Sequence, residues 1–165
     1  MKTAFRLVLL AAVAAAGFWL WTVLFPSPQK IILKKITSLA ATATVGANDS
    51  NPIRAAKAAN LVDFFTADAE IVLDLAELPN RTMSGRDEIQ ESALAGLASV
   101  KTLNVQFLDI TVHLGADRQT AEASCTAKID AGDRQDFGVS EVHFQLKKVD
   151  GEWRISRAET VKTLS

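Results

Sequence analysis

The chain has 165 residues, 18 Lys/Arg against 19 Asp/Glu, two His, one Cys and no Tyr. A single cysteine excludes an internal disulfide and a cysteine-built metal site. Residues 1–48 carry five of the bases and no acid, which leaves 13 bases against 19 acids on the rest. That net −6 excludes the basic surface a nucleic-acid binder needs.

Leu7 to Phe25 is an uninterrupted apolar run of 19 residues, the length a tilted helix needs to cross about 30 Å of hydrocarbon. Phe18, Trp19 and Trp21 stand toward its far end, where indole rings favour the lipid–water boundary. Pro26 and Pro28 stop the helix. Cleavage of a secretory signal after Ala14-Ala15-Ala16 would leave Gly17-Phe18-Trp19-Leu20-Trp21 as a greasy new N-terminus. The expectation is therefore an uncleaved, single-pass transmembrane signal-anchor over residues 1–27. A cleaved signal and a buried soluble helix are the alternatives. Lys30, Lys34 and Lys35 beyond the run offset Lys2 and Arg6 before it, so the flanking charges give almost no bias in orientation. A short tail before a signal-anchor favours export of the larger domain, to the periplasmic or extracellular side.

Ile31, Ile32, Ile36, Leu39 and Ala43 recur at helical spacing, which predicts an amphipathic helix from about Gln29 to Thr44. Its lysines suit anionic lipid headgroups. Residues 28–48 read as a basic juxtamembrane helix and linker, and 49–165 as the globular domain. Asn51 is a natural N-cap with Pro52 at the first helical position. The second helix runs to about Phe65, burying Ile53, Ala56, Leu61, Phe64 and Phe65. Glu70 to Leu75 reads as a short strand closed by a turn at Leu78–Arg81. Ser84 then caps a third helix, with Asp87 in capping-box position and Ile89, Ala93, Leu94 and Leu97 on its apolar face. From Asn104 the period changes to two. Strands are predicted over 104–114, 118–130, 134–148 and 152–162, separated by Gly/Asp-containing hairpin turns. Such short connections make the sheet antiparallel, with the three helices on one face.

Three segments carry a family resemblance. They are Leu61–Val72 (LVDFFTADAEIV), the Gly85-Arg86-Asp87 opening of the third helix, and Gly151-Glu152-Trp153-Arg154-Ile155 in the last strand. With the element order, they resemble the nuclear transport factor 2-like superfamily over about residues 50–162. That superfamily has an α+β, cystatin-like cone fold and includes SnoaL-like cyclases and ketosteroid isomerase. The resemblance implies a curved, mainly antiparallel sheet under three helices, and a ligand site, where there is one, inside the cone. It also implies a homodimer through the exposed sheet face. Isomerase-like members need an interior carboxylate and an oxyanion donor, commonly a tyrosine, and this chain has no tyrosine.

Alternation puts Val105, Phe107, Asp109, Thr111 and His113 on one strand face. It does the same for Phe137, Val139, Glu141, His143 and Gln145, and for Trp153, Ile155, Arg157 and Glu159. Candidate general bases are Asp63, Asp109 and His113. Phe64, Phe65, Phe107, Trp153 and Arg157 are candidate pocket-lining residues. Two of the bases have a plainer reading: Asp63 as a solvated helix residue and His113 as an exposed strand end. Glu141 and His143 suit a solvent or dimer face. Cys125 reads as a small buried hydrophobe. With no His-x-His or His-x-x-x-His spacing, neither metal nor cofactor is expected. The functional expectation is a membrane-anchored, non-catalytic domain that binds a small hydrophobic ligand or assembles, with membrane lipid as neighbour and no nucleic acid. A SnoaL-like enzyme of proton transfer, cyclisation or hydration is the alternative, and a structural role in an envelope complex is a third reading.

Overall fold

A computed structural model describes residues 27–74, 81–132 and 138–161. The first described helix, α1 (Pro28–Ala43), starts where proline is tolerated, and the Ser27 side chain accepts from Lys30 N. Ile32, Ile36, Leu39 and Ala40 form its buried stripe, while Ile31 and Leu33 stay exposed. An antiparallel bridge between Val45 and Leu103 ties the end of α1 to the sheet.

Helix α2 (Asn51–Leu61) has Ser50 at its N-cap position, one residue before the expected cap and without a side-chain capping bond, and it buries Ala58 and Leu61 while Ile53 stays exposed. Arg54 projects from it as a fork onto backbone carbonyls. It donates from Nε to Asp49 O (3.0 Å), from Nη1 to Leu97 O (2.8 Å) and Val100 O, and from Nη2 to Lys101 O (3.0 Å). A 3-10 turn (Val62–Phe64) then leads into β1 (Phe65–Leu73). The strand begins well before the expected Glu70, because the helix ends at Leu61 and Phe65 already pairs with Ile155. A register shift between Phe65 and Glu70 breaks the period-two signal there.

Strand β2 (Arg81–Ser84) pairs antiparallel with β1, in a stretch that the sequence pattern assigned to a turn and a cap. Helix α3 (Gly85–Ser99) follows with Ser84 as N-cap. The reciprocal bond of the capping box comes from Glu88, not Asp87: Ser84 N donates to Glu88 Oε2 at 2.8 Å. Four long strands complete the chain: β3 (Asn104–Leu114), β4 (Thr120–Asp130), β5 (Gly138–Val149) and β6 (Glu152–Val161).

The sheet order is β2-β1-β6-β5-β4-β3. The β3–β6 meander is antiparallel, as its short turns require. β1 joins β6 in parallel, so the sheet is mixed. No hairpin signal announces that pairing, since its partners lie some 90 residues apart. All three helices share one core with one sheet face. Ile32, Ile36, Leu39, Leu61, Ile89 and Leu97 meet Ala123, Cys125, Phe144, Leu146, Trp153 and Ile155. The expected transmembrane segment and Phe137 lie outside the described residues. Among those described, no helix is long and apolar enough to cross a membrane.

Candidate functional site

Two bulges decide which side chains reach which face. On β3, Leu108 pairs with Thr126 and Thr111 with Ser124, so Asp109 and Ile110 together oppose Cys125. One extra residue reverses the parity of everything after it. Val105 and Phe107 lean toward the core before the bulge, and Ile110, Val112 and Leu114 do so after it. His113 therefore faces outward, opposite the face of Phe107. The same happens on β6, where Leu146 pairs with Ile155 but Gln145 with Arg157, leaving Ser156 as the extra residue. Trp153 and Ile155 are buried, and Arg157 turns to the outer face.

Asp109, a candidate base, is the bulge residue itself, at φ 54° and exposed. A side chain other than Gly is disfavoured in that conformation, and Asp and Asn are the mildest exceptions. Asp109→Val is expected to cost about 1–2 kcal/mol in thermal unfolding, while Asp109→Gly leaves stability unchanged or raises it. Equal losses from both would contradict the bulge role. Asp63 lies exposed on the 3-10 turn, so the three candidate bases do not converge.

The outer face carries a polar ladder. His113, Glu122, Gln145, Arg157 and Glu70 run across five strands in one row, and Thr111, Ser124, His143 and Glu159 in the next. Arg157 is held between Glu70 and Glu159, the latter at 3.0 Å, and His143 Nε2 lies 3.0 Å from Glu141 Oε1. A shallow cleft of about 190 Å³ opens among His113, Glu122, Ser124, His143, Arg157 and Glu159. These pairs are more than a third exposed, so each contributes little to stability. No group of three or more His, Cys, Asp or Glu suited to a metal occurs among the described residues.

The helix-covered face is different in kind. Its buried side chains are apolar, and Thr66 is the only buried polar side chain among the described residues. Burial pushes the Cys125 thiol up to about 12, with Glu141 adding to the effect, so the thiol is protonated and inert as a nucleophile near neutral pH. Phe65 is buried in this core, and Phe107 meets Phe144 edge-on at 5.6 Å.

Of the aromatic candidates, only Phe64 and Trp153 come together at an open groove. It encloses about 690 Å³ between α1 and the β5–β6 turn. Pro28, Ile31, Lys35 and Ser38 line one wall at i, i+3, i+7 and i+10, one helix stripe beside the buried one. The other wall is Phe64 with Lys148, Gly151, Glu152 and Trp153. Asp150 and Gly151, at φ 51° and 84°, form the two-residue turn between Val149 and Glu152 that sets this wall. Lys35 Nζ sits 5.9 Å from the centre of the Phe64 ring, and burial lowers its pKa despite the opposing pull of Glu152. Lys148, beside the Asp150-Gly151 turn, belongs to this wall, and no motif in the sequence singles it out.

The six-stranded mixed sheet under three helices defines a cystatin-like cone fold. The chain belongs to the SnoaL-like domain family, whose model matches residues 53–159. Helix α1 lies ahead of that match. A comparison with curated proteins finds no match. Among solved structures, the chain is similar to a provisional scytalone dehydratase from Novosphingobium aromaticivorans, at 17% identity and a TM-score of 0.63 over 82% of this chain and 84% of that one. It is also similar to a cystatin-like protein of unknown function from Nostoc punctiforme (11%, 0.62, 80% and 88%). A third is a protein of unknown function from Mycobacterium tuberculosis (19%, 0.61, 83% and 76%). At these identities the likeness establishes the fold alone.

Proposed function

We propose that the chain is a membrane-tethered SnoaL-like domain that binds or assembles and does not catalyse. One observation carries this reading: the helix-covered face, where a cone-fold enzyme would keep its acid and base, is packed with apolar side chains. Ile32 and Ile36 of α1 are fully buried there, and the only buried polar side chain among the described residues is Thr66, which lines a cleft with Asp68, Arg86 and Lys147. A hydroxyl alone supplies neither a general base near neutral pH nor an oxyanion hole. The apolar run before Pro26 supports the tether, with the domain on the exported side. The polar outer face of β3–β6 supports pairing of two copies, since its mixed charges can meet their opposites across a two-fold axis.

Native mass spectrometry of the detergent-extracted full-length chain tests the reading. The expected result is a two-copy mass carrying a lipid-like molecule that is unchanged on incubation. A monomer with nothing retained, or a molecule that is chemically converted, contradicts it.

A further inference from the structure

The groove beneath α1 combines three features that no core or hairpin needs. Its floor is apolar, with Ile31, Phe64 and Trp153. Its rim is basic, with Lys34, Lys35 and Lys148. None of those lysines is in a salt bridge among the described residues. Glu152, the acid at the rim, is already paired with Arg154 at 3.2 Å. Lys35 meanwhile holds its ammonium against the Phe64 ring in a half-buried position.

We propose that this groove binds the anionic headgroup and the first acyl carbons of a membrane phospholipid. The inference rests on the tethered reading, and it names the ligand class and the site. A free phosphate would satisfy the rim and leave the floor wet. A neutral hydrocarbon would satisfy the floor and leave three lysines facing one acid, Glu152, that Arg154 already pairs. An acidic phospholipid matches both, and cations gain most from an anion where water is displaced. Position agrees with chemistry. Phe25 ends the apolar run three residues before Pro28, the first groove residue, and three residues reach at most about 10 Å. The groove is thereby held at headgroup depth.

The test uses the full-length chain in a non-ionic detergent, titrated with phosphatidylglycerol, phosphatidylcholine or inorganic phosphate and read by native mass spectrometry. A retained phosphatidylglycerol is expected, with neither phosphatidylcholine nor phosphate retained at the same concentration. Lys34→Ala and Lys148→Ala should each weaken retention by about fivefold. Lys30→Ala, exposed on α1 but outside the groove, serves as the control and should change it by less than about twofold. Melting curves of the three variants should coincide with the parent, since all three lysines lie at the surface or the groove rim. Equal retention of both lipids, retention of neither, or an equal loss from Lys30→Ala overturns the proposal. Retention of inorganic phosphate in place of the lipid overturns it in favour of a plain anion site. Loss of the chain from the membrane fraction of cells would instead sink the tether, and the detergent titration would still decide the groove.

Discussion

Ile36→Ala is expected to destabilise the domain by about 2–5 kcal/mol, the cost of deleting a fully buried aliphatic side chain and leaving a cavity. Ile36 is 0% exposed and packs with the core that the sheet shares with α2 and α3. The reason for singling it out is that α1 lies ahead of the family match and next to the apolar run. If α1 were only a spacer between membrane and domain, truncating it would leave unfolding of the domain unaffected. Ile31→Ala is the internal comparison: Ile31 is just over one turn away, is 42% exposed, and should cost no more than about 0.5 kcal/mol. Denaturant unfolding followed at buried Trp153 measures both. Equal small effects would show that α1 is not part of the core.

Arg54→Ala is expected to cost about 2–3 kcal/mol. The guanidinium serves four backbone carbonyls, and two of them, Leu97 O and Val100 O, lie at the C-terminal end of α3. Those carbonyls have no partner within the helix, and they carry the negative end of its dipole. α3 has no basic residue in its own last turn, so Arg54 supplies from α2 the cation that the sequence of α3 omits. Removing it strands several polar groups together and loosens the α2–α3 contact. Arg54→Lys should recover less than half of the loss, because a single ammonium cannot reach carbonyls that a planar fork bridges. Full recovery by lysine would mean that charge alone matters there.

Much of this fold was legible because its strongest signals are local. The Ile32, Ile36, Leu39 stripe marked α1 to within a residue, and the Asp150-Gly151 turn fixed the last hairpin. The three short family segments pointed to the SnoaL-like family, whose model matches residues 53–159. Illegible were the features that depend on partners distant in sequence. β2 is four residues long and exists because β1 pairs with it. The parallel β1–β6 pairing has no turn to signal it. Most consequential for the site, a bulge is invisible to alternation. The period-two rule put Phe107 with His113 and Trp153 with Arg157, and in each pair one extra residue sends the polar member to the opposite face. Phe64 and Trp153 did come together, but on an open groove and not inside a closed cone.

The most direct measurement is hydrogen–deuterium exchange on the full-length chain in nanodiscs, comparing pure phosphatidylcholine with a phosphatidylglycerol mixture. Because pairing of two copies would be common to both bilayers, the difference isolates the lipid. The account predicts added protection confined to residues 28–38 of α1 and 148–153 of the β5–β6 turn when the acidic lipid is present. Protection that appears instead on the outer strands around Glu122, His143 and Arg157, or nowhere, would contradict a domain that meets the membrane through this groove.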